Sequence, residues 1–146
     1  MYNPIDSLFE HDKKVKYKYI SNEYIIDTLS DNAIIPNSEI YWFYNTYTQG
    51  YAIWSKEDLL RIWSVAEIKD EHIRNELRLS QYEFYFADVS IWCYGLYFKL
   101  LNDYTAEVWA DYGKNEKKQL AVTVREWISK LNSNWDLGLY GINGNS

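Results

Sequence analysis

Three carboxylates in the second half of the chain, Asp88, Glu107 and Asp111, are the residues whose type and spacing best suit acid–base chemistry. A hydrolytic pair of that kind needs two carboxyl groups facing one substrate with their protonation states set apart. Each of the three, however, lies on or beside a run of alternating apolar and polar residues. There, Asp and Glu read more simply as solvated strand-face or turn residues. Cys93, within Ile91-Trp92-Cys93-Tyr94, reads as a small buried hydrophobe, because a thiol nucleophile needs a neighbouring base. The two histidines, His11 and His72, lie in charged segments. No Gly-rich phosphate loop, His-rich metal spacing or nucleophile elbow is present in the sequence. The chain is therefore read as non-enzymatic, with no catalytic residue, cofactor or metal.

Composition narrows the remaining classes. With 146 residues, 47% of them hydrophobic and 25% charged, the chain suits one globular domain spanning residues 1–146. Fifteen basic against 21 acidic side chains give a net charge of −6. That disfavours direct nucleic-acid binding, which relies on Lys and Arg neutralising phosphates, and favours a basic partner. No apolar run approaches the roughly 20 residues of a membrane span. The N-terminus lacks the basic and apolar blocks of a signal peptide, and a lone cysteine fits a reducing compartment. A cytoplasmic protein is expected. Aromatic residues make up 18%, with 15 Tyr and 7 Trp. Most must serve the core, and any exposed surplus would suit an interface, where rings give contact area at small entropic cost.

The elements that must position these residues can be read in order. Asn3-Pro4 opens a short helix over residues 4–10, Lys13 to Lys18 form a basic stretch, and Asn22 caps a helix containing Tyr24, Ile25, Ile26 and Leu29. Pro36-Asn37-Ser38-Glu39 starts a further helix with Ile40, Phe43, Tyr44 and Tyr47 on one face. Tyr51 to Trp54 reads as a strand. Ser55 reads as the N-cap of a helix whose stripe is Leu59, Ile62, Trp63 and Ala66. Three strands follow, Tyr82 to Val89, Tyr94 to Leu101 and Tyr104 to Tyr112, with Asn102-Asp103 as a tight turn. In the third, Ala106, Val108 and Ala110 oppose Glu107, Trp109 and Asp111. Asp111 to Lys118 reads as a polar loop. Thr123-Val124-Arg125-Glu126 is a capping box, with Val122 and Trp127 as a staple and Val124, Trp127, Ile128 and Leu131 as an apolar stripe. The tail, residues 132–146, is rich in Asn and Gly, and Trp135, Leu137, Leu139 and Tyr140 suggest a docked strand-like segment. The class is α+β, a mainly antiparallel sheet flanked by helices.

This order resembles the SMI1/KNR4 (SUKH) superfamily over about residues 30–131. The matching pieces are Ile35-Pro36 opening an aromatic helix that ends at Gln49-Gly50, and Tyr51-Ala52-Ile53-Trp54-Ser55. Phe84-Tyr85-Phe86-Ala87-Asp88 with Ile91-Trp92, and Tyr94-Gly95-Leu96-Tyr97-Phe98, come next. Glu107-Val108-Trp109 then precedes Leu120-Ala121-Val122-Thr123-Val124-Arg125-Glu126-Trp127-Ile128. The resemblance implies a twisted, mainly antiparallel sheet with flanking helices and a binding role without catalysis. Many bacterial members are immunity proteins that block polymorphic toxins, often nucleases, by direct contact, and fungal relatives act as interaction proteins.

The expected partner is thus a protein, a basic toxin domain. The expected partner-binding residues are Asp88, Glu107, Trp109 and Asp111, with Glu83 and Tyr85 as companions. The face opposite Val108 is either covered by a helix, with Trp109 beneath it, or available to a partner. The alternative is a carbohydrate-binding or hydrolytic domain using surface aromatics and paired carboxylates. Oligomeric state is not legible in the sequence.

Overall fold

Alternation along the three runs between residues 82 and 112 becomes the centre of one sheet. A computed structural model describes residues 23–25, 27, 37–46, 51–55, 58–68, 82–90 and 93–141. The expected helix over 4–10, the basic stretch Lys13 to Lys18, both histidines, Ile91-Trp92 and the last five residues lie outside the described residues. The strands are β1 (Tyr51–Ser55), β2 (Asp58–Ile62), β3 (Glu83–Val89), β4 (Tyr94–Leu100), β5 (Ala106–Asp111) and β6 (Lys117–Ala121). They lie side by side in sequence order, and every neighbouring pair is antiparallel. Short connections make such a meander the simplest topology. The class is α+β, as expected.

Three longer helices, α1 (Ser38–Thr46), α2 (Val124–Ser133) and α3 (Trp135–Tyr140), join helical residues at 23–25, 27 and 65–68 in the described fold. Each adds buried residues to one core. Ile40, Phe43 and Tyr44 come from α1, Val124, Trp127, Ile128 and Leu131 from α2, and Leu139 from α3. They meet the sheet residues that alternation places on one face: Leu60 and Ile62, Phe84 and Phe86, Leu96 and Phe98, Val108 and Ala110. A β-bulge at Phe86, between Tyr85 and Ala87 in the pairing with β4, puts Ala87 on that face beside Phe86 and shifts the alternation, so that Val89 faces the core and Asp88 the other side. The Phe86 ring stacks on Phe98 at 3.7 Å, and Phe43 and Trp127 meet it edge-on at 5.8 and 5.3 Å. Each such pair contributes about 1 kcal/mol beyond simple burial.

The helix starts are governed by hydrogen bonds that also tie the elements together. The Asn37 side chain accepts from the Ile40 N–H at 3.0 Å, capping α1. Glu39, 5% exposed, accepts from the N–H groups of Ala106, Val124 and Arg125 at 3.0 to 3.1 Å. One carboxylate thus satisfies the first backbone donors of α2 and locks them to the start of β5. An anion at a helix N-terminus is favoured by the exposed N–H groups and the helix dipole. Thr123 caps α2 as the sequence predicts, accepting from Glu126 N–H at 3.0 Å. The reciprocal Glu126 bond runs to Val122 N–H instead of Thr123.

Four local expectations change. Residues 58–62 are a strand, not a helix. The stripe Leu59, Ile62, Trp63 and Ala66 fits a helical period, but Leu60 and Ile62 equally fit a two-residue period. Pairing with Val89 and Ala87 of β3 settles the matter. The real capping box is Ser64 with Glu67, whose reciprocal bonds start a single helical turn over residues 65–68. Residues 117–121 are a strand, so the expected polar loop stops short of Lys117 and Lys118. The exposed Lys117, Lys118 and Gln119 are what an edge strand carries to discourage further pairing. Residues 135–140 are a helix instead of a strand, capped by Asn134 and stopped by Gly141 at φ 65°. Within it, a Cβ on Gly138 would land on the Leu131 side chain, so glycine permits α3 to seat against α2. Finally, Cys93 is exposed, because it lies in the β3–β4 turn.

Candidate binding surface

The opposite face of the sheet carries every residue expected to meet a partner. Cross-strand register arranges it in three rows. The first is Glu83, Lys99 and Glu107. The second is Tyr85, Tyr97, Trp109 and Gln119. The third is Arg61, Asp88, Gly95, Asp111 and Lys117. An aromatic ladder therefore runs across three strands between two charged rows. All helical segments among the described residues contribute to the core on the other face. Trp109 is part-exposed on this outer face.

The ladder is held by its own neighbours. The Tyr97 ring stacks on Trp109, with 6.3 Å between centroids and 19° between planes, and meets Tyr85 edge-on at 5.8 Å. The Lys99 ammonium lies 5.4 Å from the Trp109 centroid and that of Lys117 5.6 Å from Tyr97. Each such contact is worth about 0.5–1 kcal/mol near a surface. Tyr97 is 2% exposed, with Tyr85, Trp109 and Lys117 among the side chains that meet its ring. Tyr85, Lys99, Glu107, Trp109 and Asp111 are part-exposed, and Lys117 and Gln119 are exposed.

The carboxylates act as acceptors that fix these rings. Glu107 accepts from Trp109 Nε1–H at 2.9 Å and from the Gln119 amide at 2.8 Å. Asp111 accepts from the Tyr85 hydroxyl at 2.6 Å and from Gly113 N–H at 2.9 Å. Tyr85 is on β3 and Asp111 on β5, about 10 Å apart across two strand spacings. The strand between them offers Gly95 beside Asp111, where no side chain blocks the phenol. A ring laid over a strand glycine also recovers packing that the glycine lacks. Burial, then the bond to Asp111, push the Tyr85 phenol pKa far above its ordinary value. Burial, then Glu83, Asp111 and Glu107, push that of Tyr97 up to about 12. Both remain protonated, uncharged groups at neutral pH.

Asp88 sits on the same face but inside it, 2% exposed. Its Oδ2 accepts from Trp63 Nε1–H at 2.7 Å and from Arg61 at 2.8 and 2.9 Å. Arg61 also pairs with Glu67 at 3.1 Å. The Asp88 carboxylate is therefore an internal acceptor, whereas Glu107, Trp109 and Asp111 reach the surface together. Tyr97 and Lys99 are site residues that the sequence reading leaves out, although the β4 alternation marks them: Tyr94, Leu96, Phe98 and Leu100 claim the core, so Gly95, Tyr97 and Lys99 must face away. Lys117 carries no such signal once its segment is read as loop, and Gln119 lies beyond that loop in no element assigned from the sequence.

Among the described residues, no group of three or more His, Cys, Asp or Glu is arranged to hold a metal ion. The face offers flat, preset aromatic area with carboxylates and cations alternating around it. This arrangement suits contact with another macromolecule. Comparison of the chain with protein-family models, curated proteins and solved structures gave no match.

Proposed function

We propose that this chain is an immunity-type binding protein that neutralises a basic toxin domain by direct contact, using the outer face of its sheet. The observation that carries the reading is the meeting of Glu107, Trp109 and Asp111 around a preorganised aromatic ladder. Rings fixed before binding lose little freedom on association, so their buried area converts efficiently into affinity. Charge contributes through the whole molecule more than through this face. Here Glu83, Asp88, Glu107 and Asp111 are almost balanced by Arg61, Lys99 and Lys117. Attraction of a basic partner then comes from the −6 of the whole chain, which accelerates encounter more than it tightens the complex. A sugar-binding or hydrolytic role has less support, because Glu107 and Asp111 are already engaged in orienting protein donors.

The test is co-expression with the C-terminal domain encoded in the adjacent upstream reading frame. The wild-type chain should restore growth, and Trp109→Ala should weaken binding of the purified domain by about 2 kcal/mol, roughly thirty-fold. Failure of the wild-type chain to protect or bind would refute the reading.

A further inference from the structure

Among the described residues, exposed apolar side chains gather away from the aromatic ladder, at one end of the sheet. Among the described residues, the exposed large hydrophobic side chains are Tyr24, Tyr82, Leu101, Tyr104 and Val122. All but Tyr24 stand at the same end: Tyr82 just before β3, Leu101 and Tyr104 in the β4–β5 turn, and Val122 just after β6. The backbone bond from Leu100 N–H to Tyr82 O and the pairings of Leu100 with Ala106 and of Val108 with Ala121 bring these four places together. Tyr104 is 71% exposed and Leu101 52%.

The turn that carries Leu101 and Tyr104 is gripped from behind. Asn37 Nδ2 donates to the carbonyls of Asn102 and Thr105, Ser38 N–H to that of Asp103, and Glu39 N–H to that of Tyr104. The Asn102 side chain accepts from the N–H groups of Tyr104 and Thr105. Four consecutive carbonyls are thus taken by the start of α1, while the apolar side chains point outward. A turn with only a solubility role has no need of an exposed Tyr and Leu on so fixed a backbone, and isolated exposure elsewhere would need no explanation.

We propose that this strand end is a second docking surface for the basic protein partner proposed above, with Leu101 and Tyr104 as its anchors. The inference rests on that reading. Local charge selects the occupant. Glu126 is paired with Lys130 at 2.9 Å, Lys99 stands in register between Glu83 and Glu107, and Arg125 lies 3.9 Å from the Trp42 ring centroid. Counted together, Glu83, Asp103, Glu107 and Glu126 exceed Lys99, Arg125 and Lys130 by one negative charge, and Asp103 is exposed between the two anchors in sequence. A carboxylate framed by apolar groups complements a cationic partner surface. It repels the anionic leaflet of a membrane, and a second copy would bring the same charge. Area excludes a patch acting alone. Four exposed side chains offer on the order of 400 Å², about half of what one partner contributes to a standard interface. The shortfall is met by continuity, because Tyr82 adjoins Glu83 and Leu101 follows Lys99 by two residues. The partner therefore spans the corner from the turn to the aromatic ladder.

The experiment is calorimetric titration of the purified full chain with the basic domain encoded upstream of its gene, for wild type, Leu101→Ser/Tyr104→Ser and the control Tyr24→Ser. A loss of thirty-fold or more for the double variant is expected, with the control within two-fold of wild type and an unchanged melting temperature. Double-variant binding within three-fold of wild type overturns the inference while leaving the binding function standing. If the double variant melts lower, Val122→Ser, outside the gripped turn, decides: a loss of about five-fold supports the surface, and none overturns it. A wild-type chain that does not bind the domain refutes the inference together with the function on which it rests.

Discussion

The two faces of the sheet are built from alternate residues of the same strands and end in different states. The core face is apolar and sealed by helices: Phe84, Phe86, Leu96, Phe98 and Val108 are at most 1% exposed. The outer face is as aromatic, yet its rings are held by hydrogen bonds and cations supplied from neighbouring strands. The contrast teaches that aromatic content does not reveal its own purpose. Trp127 and Trp109 are identical in the sequence, but one is buried with its indole N–H on Gly138 O at 2.8 Å, and the other is pinned at the surface by Glu107.

The sharpest way to break this comparison is to truncate both tryptophans. Trp127→Ala should destabilise the fold by about 3–5 kcal/mol in denaturant melts, since it empties the centre of the core. Trp109→Ala should cost about 1 kcal/mol, because only surface stacking and one part-exposed hydrogen bond are lost. Equal losses would show that the outer face is also core. Next in size is Glu39→Ala, expected to cost about 3 kcal/mol by stranding the N–H groups of Ala106, Val124 and Arg125. Glu39→Gln, which keeps one acceptor oxygen, should lose less. Smaller again is Tyr85→Phe, at about 1 kcal/mol, because the bond to Asp111 lies at a part-exposed position.

An alkaline titration compares the faces without mutation. Tyr97 on the outer face and Tyr112 beside α3 both hold their protons up to about 12, burial being the first cause in each. An unfolded tyrosine ionises near 10. The stability these phenols contribute is complete below pH 10 and is lost as pH rises from 10 through 12. Tyrosinate absorbance in the native protein should therefore show a class of phenols ionising above 10, and the melting temperature should fall over that window. Ionisation of all phenols near 10, with no change in melting, would contradict the enclosure of Tyr97.

Much of this organisation is legible in the sequence because it is local. The alternation of β3, β4 and β5, the Thr123 cap and the stripe Val124, Trp127, Ile128 and Leu131 depend on residues within a few positions of one another. The start of α1 at Asn37 is equally local. What escapes a sequence reading is set by distant neighbours. The segment 58–62 is a strand because β3 lies beside it, and 117–121 because β5 does. The role of Glu39 as the cap of a helix 85 residues later has no sequence signature. In the candidate surface, the alternation of β5 is enough by itself to put Glu107, Trp109 and Asp111 on one face. The burial of Asp88 depends on Arg61 and Trp63, which only the pairing of β2 with β3 brings within reach.

On the proposed function, the outer face binds while the inner face holds the fold. Paired measurements on Trp109→Ala, of its affinity for the basic domain encoded upstream and of its melting temperature, test it most directly. The account predicts a roughly thirty-fold loss of affinity with a melting temperature a few degrees below wild type at most. Undiminished affinity, or a collapse of stability as deep as that of Trp127→Ala, would contradict it.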